Sequence, residues 1–454
     1  MRVVIVGAGA IGAYLAEELS KEGHNVYVID KNPARIAEIQ ERLDVLAVEG
    51  EALDPRVIED AGLEHADMLL AVTDSDEQNI IIAGLAKEFG VGLVAARVRD
   101  AFYSLDAAQS LLSQRLRIDE IINPDYAAVS HMLASISVPG CLEVYNLADG
   151  KAFLATFSVH TNCPVKDKSL SQIHGTPFDE HFPLAAAVYR SSSIIVPRGD
   201  TELHKGDDVS FIMLKDQAAD FGQWFVPGAG RTDRVIILGA MNIGVQLARR
   251  LEDMFIAVTL VDSDQKRCVA ASQALKKSTV LRGRISEREV AADIDFASFD
   301  YLIAATPDEE DNLIAAFLAK ELGVKHTMVV TQHPEHVSLL KRLRIDSVIN
   351  PRILAAGEVL RFIRKGIVLS VAKVGEERPG AAEILEFLIS ARSPIAGKKL
   401  KDAGLPHGTL VGLVIDGENP VIPHGDTVIQ PSSRALVFTV KDSLEKVQKI
   451  FAPD

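Results

Sequence analysis

The sequence predicts two α/β units in tandem, each a parallel sheet wound on both faces by helices and each followed by a smaller α+β domain. Three observations carry that prediction. The chain opens on Val3-Val4-Ile5-Val6-Gly7-Ala8-Gly9-Ala10-Ile11-Gly12 and repeats the pattern at Val235-Ile236-Ile237-Leu238-Gly239-Ala240-Met241-Asn242-Ile243-Gly244, an offset of 232 that also carries Asp30 onto Asp262. Ala86-Lys87-Glu88-Phe89-Gly90-Val91 recurs as Ala319-Lys320-Glu321-Leu322-Gly323-Val324. Arg115-Leu116-Arg117-Ile118-Asp119 recurs as Arg342-Leu343-Arg344-Ile345-Asp346, each leading to Ile-Asn-Pro. Matches this dense at a nearly fixed offset mark a tandem duplication.

Each element has its own reason. Val3–Val6, Val26–Ile29, Val45–Val48, Met68–Val72 and Leu93–Val98 are short apolar runs of strand length. Leu15–Lys21, Pro33–Arg42, Asn79–Phe89 and Leu105–Leu116 between them are longer and amphipathic, hence helices. Strands alternating with helices at this spacing make a parallel sheet covered on both faces. After each Asn-Pro a helix follows whose apolar stripe matches between copies: Tyr126, Val129, Leu133 and Ile136 against Ile353, Ala356, Leu360 and Ile363. The i, i+3, i+7, i+10 spacing is one helix face. It packs either on its own sheet or between repeats, and burial between repeats is the expectation.

The pattern then changes to strands at Leu142–Leu147, Phe153–Val159, Leu184–Tyr189 and Val209–Met213, with a short helix near Ser169–Ile173. Pro197-Arg198-Gly199-Asp200-Thr201 has a counterpart in Pro423-His424-Gly425-Asp426-Thr427, so this small domain is duplicated too. Pro227-Gly228-Ala229-Gly230 punctuates the boundary before the second copy. The division is therefore 1–139 and 232–366 for the large domains, and 140–226 and 367–454 for the small ones.

Composition narrows the function. A chain of 454 residues, 48% hydrophobic and 24% charged, is globular and too long for a single core. A formal charge of −15 opposes sequence-independent nucleic-acid binding and direct docking on an anionic leaflet. No apolar run approaches the roughly 18–20 residues that span a bilayer. Val3 to Ala16 imitates a signal peptide, but its glycines keep nucleotide-loop spacing and Glu17-Glu18 follows. Cys141, Cys163 and Cys268 are odd in number and widely spaced, which fits a reducing cytoplasm.

Gly7-x-Gly9-x-x-Gly12 follows an apolar strand and opens a helix, and Asp30 closes the next strand. In that setting Gly7 permits the tight turn, Gly9 lets the backbone approach a pyrophosphate, and Gly12 lets helix pack on strand. The helix N-terminus offers N–H groups to phosphate. Asp30 would accept the adenosine ribose hydroxyls, which favours NAD over NADP but leaves ATP and ADP open. Both large domains are thus Rossmann-like. The second keeps Gly239, Gly244 and Asp262 but has Met241 in place of the middle glycine, which narrows the approach of a diphosphate.

Thr73 and Thr306, at the ends of the fourth strands, fall beside the first strand at the switch-point crevice and are candidate contacts. The run Asp74, Asp76, Glu77 reads as a solvated helix start and not as a metal site. His326, His333 and His336 have no metal-ligand spacing, and neither a Gly-x-Ser-x-Gly elbow nor a complete P-loop is present. Machinery to hold a nucleotide without an identifiable proton shuttle points to sensing. An NAD-dependent oxidoreductase with duplicated dinucleotide folds is the alternative.

With these motifs the chain resembles the TrkA family of Trk potassium-uptake regulatory subunits, built from RCK (regulator of K⁺ conductance) units. The resemblance implies a cytoplasmic, non-enzymatic subunit that binds NAD or NADH and adenine nucleotides. It also implies a homo-oligomeric ring, a tetramer, that gates an integral-membrane potassium-translocating partner and reaches the membrane only through it. Carried onto matching positions, Gly7, Ala8, Gly9, Ala10, Ile11, Asp30, Thr73, Asp74 and Arg97 form the first site. Gly239, Ala240, Met241, Asn242, Ile243, Asp262, Thr306 and Pro307 form the second. The second copy departs at Met241 and at Val329-Val330-Thr331-Gln332, which has no arginine to match Arg97.

Overall fold

The computed structural model describes residues 1–454 except 101–102, 104–110, 174–177, 179–181, 192, 286, 288–293, 344, 364–367, 375–381, 418 and 452–454. The first repeat runs β1 (Arg2–Val6), α1 (Ala10–Lys21), β2 (Asn25–Asp30), α2 (Pro33–Arg42), β3 (Leu46–Glu49), α3 (Pro55–Asp60), β4 (Met68–Ala71), α4 (Asp76–Glu88), β5 (Leu93–Arg97), β6 (Glu120–Ile122) and α5 (Pro124–Ser137). Its sheet has the order β3-β2-β1-β4-β5-β6 and is parallel throughout, with Val3 opposite both Val26 and Met68. The second repeat has the same order across Thr279–Arg282, Ala257–Asp262, Arg234–Leu238, Tyr301–Ala304, His326–Val330 and Ser347–Ile349. The expected doubly wound parallel sheets are present in both copies.

All five strands expected of the first repeat form, each within two residues of its expected ends. Four helices and strands differ, of which α4 begins at Asp76, three residues before the expected Asn79, because Ser75 caps it. α1 starts at Ala10 and not Leu15, because the small residues Ala10, Gly12 and Ala13 let the helix begin directly on the glycine loop. α3 was not expected; Asp54 accepts from the Arg56 N–H and Pro55 opens the helix. β6 was not expected either, being only three residues long. Most of the helix expected at Leu105–Leu116 falls outside the described residues, and its end forms a π-helical turn at Leu111–Arg115.

The small domains are antiparallel. In the first, Ser193–Ile195, Leu184–Arg190, Asp208–Leu214, Ala152–Ser158 and Glu143–Leu147 lie side by side in that order. In the second the order is Val368–Val374, Ala382–Leu388, Arg434–Val440, Thr409–Asp416 and Asn419–Val421. The short helix expected near Ser169–Ile173 is the 3₁₀ turn Leu170–Gln172. The two small domains share one apolar cluster, in which Leu154, Ala187 and Ile212 of the first meet Ile384, Leu413 and Phe438 of the second.

By compactness the chain forms two units. One holds residues 1–128, 331–339 and 349–363; the other holds 129–330, 340–348 and 364–454. The helix Pro351–Ile363, although encoded at the end of the second repeat, belongs to the first unit. There Ala355, Ala356, Val359, Leu360 and Phe362 join Leu15, Ala16 and Leu19 of α1 in one core. Of the stripe expected on this helix, Ala356 and Leu360 are thus buried against the other repeat, Ile353 is half-buried, and the Ile363 side chain lies outside the described residues. In α5, Val129 and Ile136 are buried, Leu133 is half-buried and Tyr126 is exposed. No helix among the described residues is long and apolar enough to cross a membrane.

A buried carboxylate fastens the second repeat. Glu252, near the end of the helix Asn242–Asp253, accepts from the backbone N–H of Lys276, Lys277 and Ser278 and from the Ser278 hydroxyl, at 2.7–3.1 Å. Burial opposes its ionisation, but the Ser278 hydroxyl and these N–H groups outweigh it and hold the carboxyl at about 2, against 4.5 ordinarily. The folded-state value is depressed, so this contribution is complete above pH 4.5 and is lost as pH falls towards 2. Glu252→Gln is expected to cost about 1–3 kcal/mol at neutral pH. Thermal melts should show the gap to the unaltered chain narrowing at pH 3; a gap independent of pH would mean the charge is not used.

Candidate nucleotide site

The loop between β1 and α1 is held by its own chain. Gly7 has φ +106°, its N–H donates to Ile29 O at 2.8 Å, and a Cβ there would lie 3.0 Å from Thr73 N. A Cβ on Gly12 would stand 1.8 Å from Gly7 O. Both glycines are therefore required by the fold, the first by its backbone angle and the second by space. Gly9 is different. Its φ of −70° and ψ of −176° suit any residue, and the nearest atom to a Cβ would be Arg35 Nη1 at 3.9 Å. Neither packing nor conformation requires this glycine. Gly9 is also the N-cap of α1 without a side-chain cap, so the first-turn N–H groups are not covered by a capping side chain.

Asp30 is buried at the end of β2. Ala8 N–H donates to its Oδ2 at 2.6 Å and Asn32 N–H to its Oδ1 at 2.8 Å, which ties the carboxylate to the glycine loop. Each oxygen takes one backbone N–H and retains acceptor capacity for a ribose hydroxyl. Arg35 Nη1 stands 3.7 Å from Oδ2, beyond hydrogen-bonding distance. Ala8 and Ile11 turn their side chains into the core, so they can serve a ligand only through their backbone. Ala10 is exposed.

Thr73 lies against Gly7, at the switch point of the sheet. Its hydroxyl donates to Asn79 Oδ1 at 2.7 Å and its N–H to the same atom at 2.9 Å. The Asn79 amide donates in turn to Thr73 O and to Arg97 O. Capping of α4 falls to Ser75, which accepts from Gln78 N–H. Fully buried Asn79 is thus the clamp that sets Thr73 beside the loop. Arg97, at the end of β5, donates to Thr73 O at 3.3 Å and lies 3.3 Å from exposed Asp74. Burial pushes the Arg97 guanidinium below its ordinary value, neighbouring Arg99 adds to this, and Asp74 opposes it. The Arg97 Nε–H is buried without a hydrogen-bond partner. Asp76 accepts from the N–H groups of Arg99 and Asp100, both at 2.9 Å, and so joins the start of α4 to the segment after β5.

The second copy reproduces the scaffold. Gly239 has φ +105°, a Cβ on Gly244 would stand 1.9 Å from Gly239 O, and Asp262 accepts from Ala240 N–H at 2.8 Å and Asp264 N–H at 2.7 Å. Ala240 and Ile243 are buried and Asn242 is exposed. Asn312 clamps Thr306 as Asn79 clamps Thr73, and donates to Val330 O. Val330 is thereby the structural counterpart of Arg97, and exposed Pro307 stands for Asp74.

The side chains around the loop and its carboxylate are not reproduced. Met241 stands in nearly the backbone conformation of Gly9, φ −89° and ψ −174°, and is 42% exposed. Arg267 grips Asp262 with both ends of its fork, Nε to Oδ2 at 3.0 Å and Nη2 to Oδ1 at 2.8 Å. Burial opposes ionisation of Asp262, but Arg267 and the N–H groups of Asp264 and Ala240 hold its carboxyl below the usual range. Sequence reasoning passed over Arg35 and Arg267, although the 232-residue offset that pairs Asp30 with Asp262 also pairs these arginines.

The TrkA-N domain family matches residues 3–124 and 235–351, and the TrkA-C domain family matches 384–452. The Trk system potassium uptake protein TrkA of Azorhizobium caulinodans is 31% identical over 460 residues, covering 99% of this chain and 98% of the relative. That of Vibrio alginolyticus is 30% identical over 462 residues, covering 100% and 99%. A TrkA homolog of Archaeoglobus fulgidus is 31% identical over 452 residues, covering 99% and 100%. Among solved structures, the GsuK channel bound to NAD superposes with a TM-score of 0.61 at 16% identity, covering 100% of this chain and 79% of that one. The GsuK RCK domain gives 0.61 at 16%, covering 100% and 95%.

Proposed function

This chain belongs to the TrkA family of Trk-system potassium-uptake proteins, and on that premise we propose that it is a regulatory subunit whose first repeat senses NAD(H) or an adenine nucleotide. The observation that carries the reading is Gly9, a glycine that neither backbone nor packing requires, beside a buried carboxylate with acceptor capacity to spare. On binding, the first-turn N–H groups of α1 would meet the phosphates and Asp30 the ribose. The buried Arg97 Nε–H, lacking a partner, fits an anionic ligand at the same strand ends. The nucleotide would act by occupancy, as a signal and not as a redox reagent.

α1 then supplies the route outward, because it shares a core with the helix Pro351–Ile363, which leads into the second small domain. In this reading the chain assembles as a ring of RCK units, a tetramer, on the cytoplasmic face of an integral-membrane potassium-translocating partner. Calorimetric titration of the full chain with NAD, NADH, ATP and ADP tests the first step. Saturable binding of at least one of them is expected, and absence of binding by all four would overturn the proposal.

A further inference from the structure

We infer that the second site is closed from within. Met241 drives Arg267 onto Asp262, so that the arginine occupies the ribose position as an internal ligand and the second repeat does not take up nucleotide. The inference rests on the reading of the first repeat as a nucleotide site.

The two copies supply the comparison. Arg35 and Arg267 hold the same place, five residues after the ribose-anchoring aspartate and in the first turns of equivalent helices. Both face the equivalent aspartate, but at different distances. Arg35 passes over the glycine loop, with Nη1 3.9 Å from where a Gly9 Cβ would stand and 3.7 Å from Asp30. A Cβ at residue 9 would already touch this guanidinium, so a longer side chain there competes with it for space. The second copy has such a side chain in Met241, and there the arginine lies down on the carboxylate in a two-bond fork. With two backbone N–H groups already on Asp262, the fork brings its acceptor load to four, about what a carboxylate can accept. Ribose hydroxyls would have to displace charge-assisted bonds. Pro307 and Val330 in place of Asp74 and Arg97 remove a carboxylate and a guanidinium from the strand ends, where Thr306 remains.

The device can be installed in the first repeat, where binding is expected, and read as a cycle by calorimetry with ADP on the full chain. Gly9→Met should weaken binding by about tenfold or more through loss of a charge-assisted bond at the ribose. With Arg35→Ala already present, the same change should cost less than about threefold. Met241 itself shows that the loop accepts methionine in this backbone conformation, and melting curves check the fold of each variant. The converse arm is Met241→Gly with Arg267→Ala, expected to add a second equivalent of ADP per chain. An equal loss from Gly9→Met with and without Arg35 would overturn the inference by making methionine a plain obstacle to phosphate. Two equivalents of ADP on the unaltered chain would overturn it while leaving the nucleotide reading intact, whereas binding of none of NAD, NADH, ATP and ADP by the unaltered chain would overturn that reading and this inference with it.

Discussion

Asp30→Ala is expected to weaken nucleotide binding about tenfold to a hundredfold, the loss of a charge-assisted hydrogen bond worth roughly 1.5–3 kcal/mol. The carboxylate has two duties, and the prediction must separate them. It satisfies the buried N–H of Ala8 and the N–H of Asn32, and it offers the remaining lone pairs to ribose. Alanine removes both functions, so the melting temperature should also fall. Asp30→Asn keeps a buried acceptor for the loop but loses the charge and one acceptor oxygen. It should therefore spare most of the stability and still weaken binding. Dissociation constants unchanged in the asparagine variant would make Asp30 a structural post.

Val359→Asp is expected to destabilise the first repeat, although Val359 is encoded at the end of the second. The side chain is fully buried in the core that contains Leu15, Ala16 and Leu19 of α1 together with Val3 and Ile5 of β1. Neither a charge there nor its protonated form has a partner, which places the cost on the order of 4 kcal/mol. Hydrogen exchange locates the damage: protection should fall in β1 and α1 before it falls in the strands Arg234–Leu238 and Ala257–Asp262. Val359→Ala, which only leaves a small cavity, should give the same pattern at reduced size. Loss of protection confined to the second repeat would refute the shared core.

Much of this molecule is local, and local features were legible. Val3–Val6 and Met68–Val72 read as strands because a sheet covered on both faces selects uninterrupted apolar runs. The glycine motif read as a strand–loop–helix turn because Gly7 needs a positive φ and Gly12 faces a carbonyl only five residues away. Short elements were less legible: β6 spans three residues, too few for a period to show. Thr73 was read as a candidate ligand contact; that the Asn79 engaging its hydroxyl also reaches Arg97 O is brought about only by the juxtaposition of two strand ends.

The sequence by itself determined the duplication, the two parallel sheets, the glycine loops and the aspartates that close their second strands. Each depends on periodicity or on spacing within a few residues, and neither quantity changes when the chain folds. Tertiary structure alone decided which core receives the helix Pro351–Ile363, because an apolar stripe specifies that a face is buried and not what buries it. It also decided the fate of two equivalent arginines. Arg35 and Arg267 are the same residue at the same repeat position, yet one stands off its aspartate at 3.7 Å and the other grips it at 2.8 Å. A long side chain has many rotamers of nearly equal energy, and the volume left by a neighbour, Gly9 in one copy and Met241 in the other, selects among them.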